Sequence, residues 1–103
     1  MKTSFSTLIS ALSLAGFTLA DLHQNAFCID STDAGDVLNE AATTTACGYY
    51  FMRNKGTEQW NTCPDCVMLD TPSIHCNSEA WHIGGDEITY YCKLAKADNA
   101  LTS

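Results

Sequence analysis

The chain has 103 residues, with five basic against twelve acidic side chains and six cysteines. So acidic a balance excludes a surface built to neutralise nucleic-acid phosphates, whose affinity comes largely from Lys and Arg, and disfavours attraction to anionic membranes. This length makes one domain.

Residues 1–20 read as a secretory signal. Lys2 supplies the early positive charge, residues 8–19 are apolar and uncharged, and Thr18-Leu19-Ala20 resembles a small-x-small cleavage site. The apolar run is too short to span a bilayer. Cleavage before Asp21 predicts an extracellular protein of 83 residues with formal charge −8. A domain this small buries little apolar surface and needs staples. An oxidising destination lets Cys28, Cys47, Cys63, Cys66, Cys76 and Cys92 pair as disulfides, in a connectivity the sequence leaves open.

Along the mature chain, residues 25–30 predict a strand with Phe27 and Ile29 on one face and Ala26 and Cys28 on the other. Residues 31–36 are a turn cluster, and Val37-Leu38 a returning strand. Residues 39–54 predict the main helix. Asn39 suits the N-cap, Glu40 complements the dipole in the first turn, and Leu38, Ala42, Ala46, Tyr49 and Arg53 fall at helical spacing. Lys55-Gly56 is the expected stop, and Cys47 is placed to tie the helix to a sheet. Residues 57–60 predict a short second helix capped by Thr57 and ended by Pro64.

Residues 66–71 and 74–77 predict two strands joined by Pro72-Ser73. Residues 84–86 predict a turn. Residues 87–94, rich in β-branched and aromatic side chains, read as a strand with Ile88, Tyr90, Cys92 and Leu94 on one face. A helix burying Ile88, Tyr91, Cys92 and Ala95 is the competing reading. Residues 96–103 are a polar tail expected to fray. The expected fold is α+β: a small α/β sandwich with an antiparallel sheet of four or five short strands, one main helix, one short helix and disulfide staples. It occupies residues 21–95.

Several constellations invite a chemical reading. Cys63-Pro64-Asp65-Cys66 has redox spacing, but a strand rather than a helix is expected after it, and Asp65 and Asp70 would raise a thiol pKa rather than lower it. Cys63, Cys66, His75 and Cys76 form a zinc quartet with poor spacing at its second pair. Asp30, Asp33 and Asp36 recur every third residue, which does not match a calcium loop. A phosphodiester hydrolase resembling the small acidic fungal guanyl-specific ribonucleases would draw on Glu58, His75, His82 and Arg53, although their order along the chain differs from that family's. Sugar binding needs aromatic faces and hydroxyl acceptors without positive charge. Trp60, Trp81 and Tyr90 supply rings with polar tips, Asp86 and Glu87 supply acceptors, and Gly84-Gly85 permits close backbone approach.

Residues 21–28, Ala46-Cys47, residues 53–60, Cys63-Pro64-Asp65-Cys66 and residues 83–92 (Ile83-Gly84-Gly85-Asp86-Glu87-Ile88-Thr89-Tyr90-Tyr91-Cys92) together resemble a family of small secreted fungal proteins typified by an ink-cap mushroom lectin. The resemblance spans nearly the whole domain. It implies an α/β sandwich without a cofactor, binding of N-acetylgalactosamine-containing glycans of the LacdiNAc type, and homodimers joined through the sheet. The combined expectation is a secreted, non-enzymatic glycan-binding module with Trp81, His82, Gly85, Asp86, Glu87, Tyr90 and Trp60 at its site, and with neither nucleic acid nor membrane as partner. The alternatives are the ribonuclease-like hydrolase and a host-directed, cysteine-rich effector that binds a protein.

Overall fold

The computed structural model describes residues 22–103. The predicted signal and its cleavage point lie outside them. The organising element is β2 (Asn25–Thr32), whose alternating side chains send Ala26 and Cys28 into the core. It follows the two-residue β1 (Leu22–His23) and turns back into β3 (Gly35–Leu38). The turn is closed by the Thr32 hydroxyl donating to the Gly35 carbonyl at 2.6 Å, with Gly35 at φ +114°, a conformation glycine adopts without a Cβ clash.

Ala26 pairs with both Cys76 and Thr102, and Ile29 with both Leu38 and Asn99. A strand residue has two lateral neighbours. Therefore β3 and β5 (His75–Asn77) share one edge of β2 end to end, and β7 (Asn99–Thr102) runs along the other. β4 (Val67–Leu69) extends the sheet beyond β5. The five-stranded antiparallel sheet is accompanied by a two-stranded one, β1 with β6 (Ile83–Gly84).

The tail predicted to fray is thus a strand. Its pairing partner lies far away in sequence, so no local signal reports it. Ala100 stands opposite Cys28 and packs on the core. The Ser103 carbonyl accepts the Gln24 and Asn25 N–H groups, and the Asp98 carboxylate accepts the Ser31 N–H at 2.8 Å. β7 satisfies backbone groups that an unpaired β2 edge would leave open.

Helix α1 (Glu40–Phe51) forms where its cap predicts: Asn39 Oδ1 accepts the Ala42 N–H at 2.9 Å. Its inward stripe is Ala42, Ala46 and Tyr50, flanked by Thr43 and Cys47, and is rotated one residue from the predicted stripe through Tyr49 and Arg53. Thr43, a poor helix former in isolation, accepts the Cys28 N–H at 2.8 Å and donates to the Asn39 carbonyl at 2.7 Å, sewing helix to strand. The helix ends at Met52, short of Lys55-Gly56. The short second helix is a 3-10 turn over Gln59–Asn61 with Glu58, not Thr57, at its N-cap.

Residues 87–94 are helical, within α2 (Gly85–Leu94). A strand would bury Ile88, Tyr90, Cys92 and Leu94 together, but Tyr90 and Leu94 are exposed while Ile88 and Cys92, one helical turn apart, are buried. Asp86 and Glu87 in the first turn and Lys93 in the last complement the helix dipole. Gly84-Gly85 is accordingly a strand-to-helix junction with Gly84 as N-cap. Both helices pack on the Ala26–Cys28 face of the sheet. Cys28–Cys92 joins β2 to α2, Cys47–Cys76 joins α1 to β5, and Cys63–Cys66 closes the turn before β4. Tyr50, Ile83 and Ile88 fill the space between these staples.

Candidate functional site

A cavity of about 270 Å³ opens where three elements meet: Leu22 and His23 of β1, Trp60 of the 3-10 turn, and residues 84–87 at the start of α2. Its shape depends on glycine. A Cβ on Gly84 would lie 2.9 Å from the Trp60 Cβ and would overlap the Glu87 carboxylate, which folds back over the N-cap. At Gly85 the nearest atom to such a Cβ is His23 Nε2 at 3.7 Å, an ordinary contact. Gly84 is therefore required by packing, and Gly85 is not.

The walls are joined from behind by one hydroxyl. Tyr50, fully buried on α1, has its Oη 2.6 Å from the Trp60 carbonyl and 3.0 Å from the His82 carbonyl, and it accepts the Gly84 N–H at 3.0 Å. Its single proton serves the two carbonyls. Burial pushes the phenol pKa up to about 12; the Gly84 N–H bond and Arg53 oppose the rise, while the charge on Glu87 adds to it. Its sequence mark was its place one turn beyond Ala42 and Ala46.

Of the seven residues predicted for the site, Trp60, Gly85, Asp86 and Glu87 line this cavity together, whereas Trp81, His82 and Tyr90 do not. His82 Nδ1 lies 2.8 Å from the Gln59 carbonyl oxygen, which turns its ring aside. Tyr90 is exposed on α2 and meets the Tyr91 ring edge-on at 5.2 Å. Trp81 is about half exposed and has φ +63°, the left-handed region rare for a bulky side chain. Its loop is pinned by Asp65, whose carboxylate accepts the Ser78 hydroxyl at 2.7 Å and the Ala80 N–H at 2.9 Å. Burial alone would raise the Asp65 pKa, but these two bonds and the His82 charge outweigh it and hold the carboxyl below its usual range. Leu22 and His23 were not foreseen as site residues, because they reach the site only through the pairing of β1 with β6.

The other sequence constellations disperse. Arg53 donates to the Asn61 carbonyl at 2.8 Å and to the Tyr91 hydroxyl at 3.1 Å, the latter raising its pKa further. His75 lines a separate cavity of about 490 Å³ with Phe27, Pro72 and Leu101, and Glu58 and His82 line neither. The four residues of the hydrolase reading thus share no cavity among those described. In the predicted zinc quartet, Cys63, Cys66 and Cys76 are all disulfide-bonded. Asp30 accepts bonds from Asn39 and Asp98, and Asp36 accepts one from Ser31, so these carboxylates brace the β2–β3 hairpin.

Residues 21–100 match the family Biotrophy-associated secreted protein 4. The chain belongs to this family. The match begins where the signal was predicted to end, and it covers all six cysteines, the cavity and the start of β7. The family description names a secreted protein, in keeping with the predicted leader and the three disulfides. The match supports a small secreted fungal family; it does not support a lectin family of the ink-cap type. No curated protein and no solved structure matches the chain.

Proposed function

We propose that this member of the Biotrophy-associated secreted protein 4 family is a small, cysteine-rich, extracellular effector that acts by binding rather than by catalysis, and that its cavity takes a hydroxyl-rich glycan of the N-acetylhexosamine class, such as LacdiNAc. The observation that carries the reading is the meeting of Trp60, Asp86 and Glu87 around Gly84-Gly85 in one cavity. Trp60 offers an aromatic face to the C–H side of a sugar ring. Asp86 and Glu87 accept hydroxyl or amide protons. The volume lies just under the range of about 300–1,000 Å³ typical of drug-sized sites, which suits one ring of a longer chain. The test is a glycan array with the oxidised protein comprising residues 21–103. Binding to N-acetylhexosamine glycans that Asp86→Ala and Trp60→Ala abolish supports the reading; no binding above background removes it.

The left-handed, half-exposed Trp81 on its pinned loop favours a second reading, in which the effector docks a protein through that loop. Exposed aromatics held rigidly are typical interface anchors, and backbone strain of about 1–3 kcal/mol persists where a function uses it. Pull-down of a specific partner, lost in Trp81→Ala and insensitive to glycan competition, would favour it. Homodimerisation through the sheet belongs to the proposal as well. β4 and β7 present free edges among the described residues. Light scattering after size-exclusion chromatography reports the oligomeric state directly.

A further inference from the structure

The Cys63–Cys66 disulfide has a second disulfide for a neighbour. The sulfur atoms of Cys47, Cys66 and Cys76 all lie within 4.8 Å of one another, so the Cys66 sulfur sits against the Cys47–Cys76 bond. Strand register explains the approach. Met68 faces Cys76 across β4 and β5, and Cys66, two residues before Met68, shares its side of the sheet. Cys63, Cys28 and Cys92 do not belong to this group of sulfurs. The two neighbouring bonds also differ in strength of hold. Cys63–Cys66 closes a separation of 3 residues against 29 for Cys47–Cys76, so the chain entropy favouring it is smaller. Cys66, at 8 % relative exposure, is the most accessible of the six half-cystines. Cys63 Sγ lies 3.8 Å from an Asp65 carboxylate oxygen. Burial raises the Asp65 pKa, but its bonds to Ser78 and Ala80 and the His82 charge outweigh this and keep the carboxyl ionised. Beside that anion a reduced Cys63 keeps its proton and donates it to Asp65, which leaves Cys66 as the attacking sulfur.

We infer that Cys66 is a thiol–disulfide exchange relay: when an extracellular dithiol opens Cys63–Cys66, Cys66 passes the opening on to Cys47–Cys76, and α1 loses its covalent tie to β5. A thiolate of the dithiol attacks the Cys66 sulfur and breaks its bond to Cys63, which leaves and takes up a proton. The second thiol of the reagent attacks the reagent sulfur now bound to Cys66, closes the reagent's own disulfide and releases the Cys66 thiolate. Two electrons have then passed from dithiol to protein. The Cys66 thiolate attacks Cys76 or Cys47, bonds to the sulfur it strikes and expels the other, which takes up the second proton. This last step exchanges one disulfide for another with no net oxidation or reduction. Whichever sulfur is struck, α1, which carries Tyr50, is no longer bonded to β5. The relay is independent of what the cavity binds.

The test uses Cys63→Ser in the oxidised protein comprising residues 21–103, which leaves Cys66 as a thiol beside the Cys47–Cys76 bond with no reductant present. After incubation near neutral pH, acid and denaturant stop exchange, N-ethylmaleimide labels the free thiols, and mass mapping locates the label. Label shared between Cys66 and Cys47 or Cys76, in a proportion that does not change with protein concentration, is expected. Cys66→Ser, which leaves the thiol on Cys63 instead, should carry its label on Cys63 alone. Label on Cys66 alone in Cys63→Ser overturns the inference, and so does transfer that grows with protein concentration. Transfer away from Cys63 in Cys66→Ser, or label on Cys28 or Cys92 in either variant, also overturns it, by marking general scrambling. Wild-type protein given one equivalent of dithiothreitol puts the same question without a substitution. Label on Cys63 together with Cys47 or Cys76 supports the relay, and label confined to Cys63 and Cys66 overturns it.

Discussion

Tyr50→Phe removes a single oxygen and tests how the cavity is held. In the native fold that oxygen serves the Trp60 carbonyl at 2.6 Å, the His82 carbonyl at 3.0 Å and the Gly84 N–H at 3.0 Å. The N–H of buried Gly84 loses its partner without access to water, which costs about 1–3 kcal/mol. The two carbonyls sit on half-buried residues that solvent reaches, so they add less. A total of about 2–3 kcal/mol follows. Against a stability of about 5–15 kcal/mol the variant stays folded. Urea denaturation of the oxidised protein should show the midpoint falling with its slope unchanged. The phenol carries a pH signature too. Its folded pKa is raised to about 12, while the unfolded value is about 10. The stability it contributes is therefore complete below about pH 10 and is lost as pH rises toward 12. Tyr50→Phe should flatten that alkaline decline. A loss below about 0.5 kcal/mol, with the alkaline decline unchanged, would refute the assignment of Tyr50 as the link between the cavity walls.

Gly84→Ala should displace Trp60 and Glu87 and abolish glycan binding, while Gly85→Ala, with 3.7 Å to the nearest atom, should be tolerated; titration of both variants with LacdiNAc compares them. Removing Cys28–Cys92 as a pair of alanines releases a crosslink spanning 64 residues, worth about 4 kcal/mol on the loop-entropy estimate and measurable by denaturant unfolding. Asp65, whose pKa is lowered in the fold, contributes stability that is complete above its unfolded pKa and is lost as pH falls through its folded pKa; Asp65→Asn should reduce that acid loss and speed hydrogen exchange at Ala80. Truncation after Lys96 should strip the partner from residues 26–29 of β2 and lower the melting temperature, where a frayed tail would leave it unchanged.

The parts of the fold legible in the sequence are those with local causes. Asn39 and Glu40 mark the start of α1 because capping is a contact over three residues. The β4–β5 hairpin is marked by Pro72-Ser73, which turns the chain between the predicted strands at residues 66–71 and 74–77. What misled were segments decided by distant contacts. Ile88, Thr89, Tyr90 and Tyr91 are strand-prone by type, yet burial of Ile88 and the bond from Cys92 to Cys28 are satisfied by a helix. β7 carries almost no pattern of its own and is defined by β2.

The candidate site divides along the same line. Gly85, Asp86 and Glu87 are consecutive and were readable as a unit, and Trp60 completes them. Trp81 and His82 are neighbours in sequence but leave the cavity, because the left-handed backbone at Trp81 and the hydrogen bond from His82 to Gln59 turn them away. His23 enters through strand pairing that no spacing rule reports.

The most direct test of the proposed glycan-binding function is the array of immobilised glycans probed with the oxidised protein beside its Trp60→Ala and Asp86→Ala variants. Selective retention on N-acetylhexosamine-containing glycans, lost in both variants while their unfolding curves keep a cooperative transition, is the predicted result. Absence of binding to every glycan, or binding unaffected by either substitution, would contradict it.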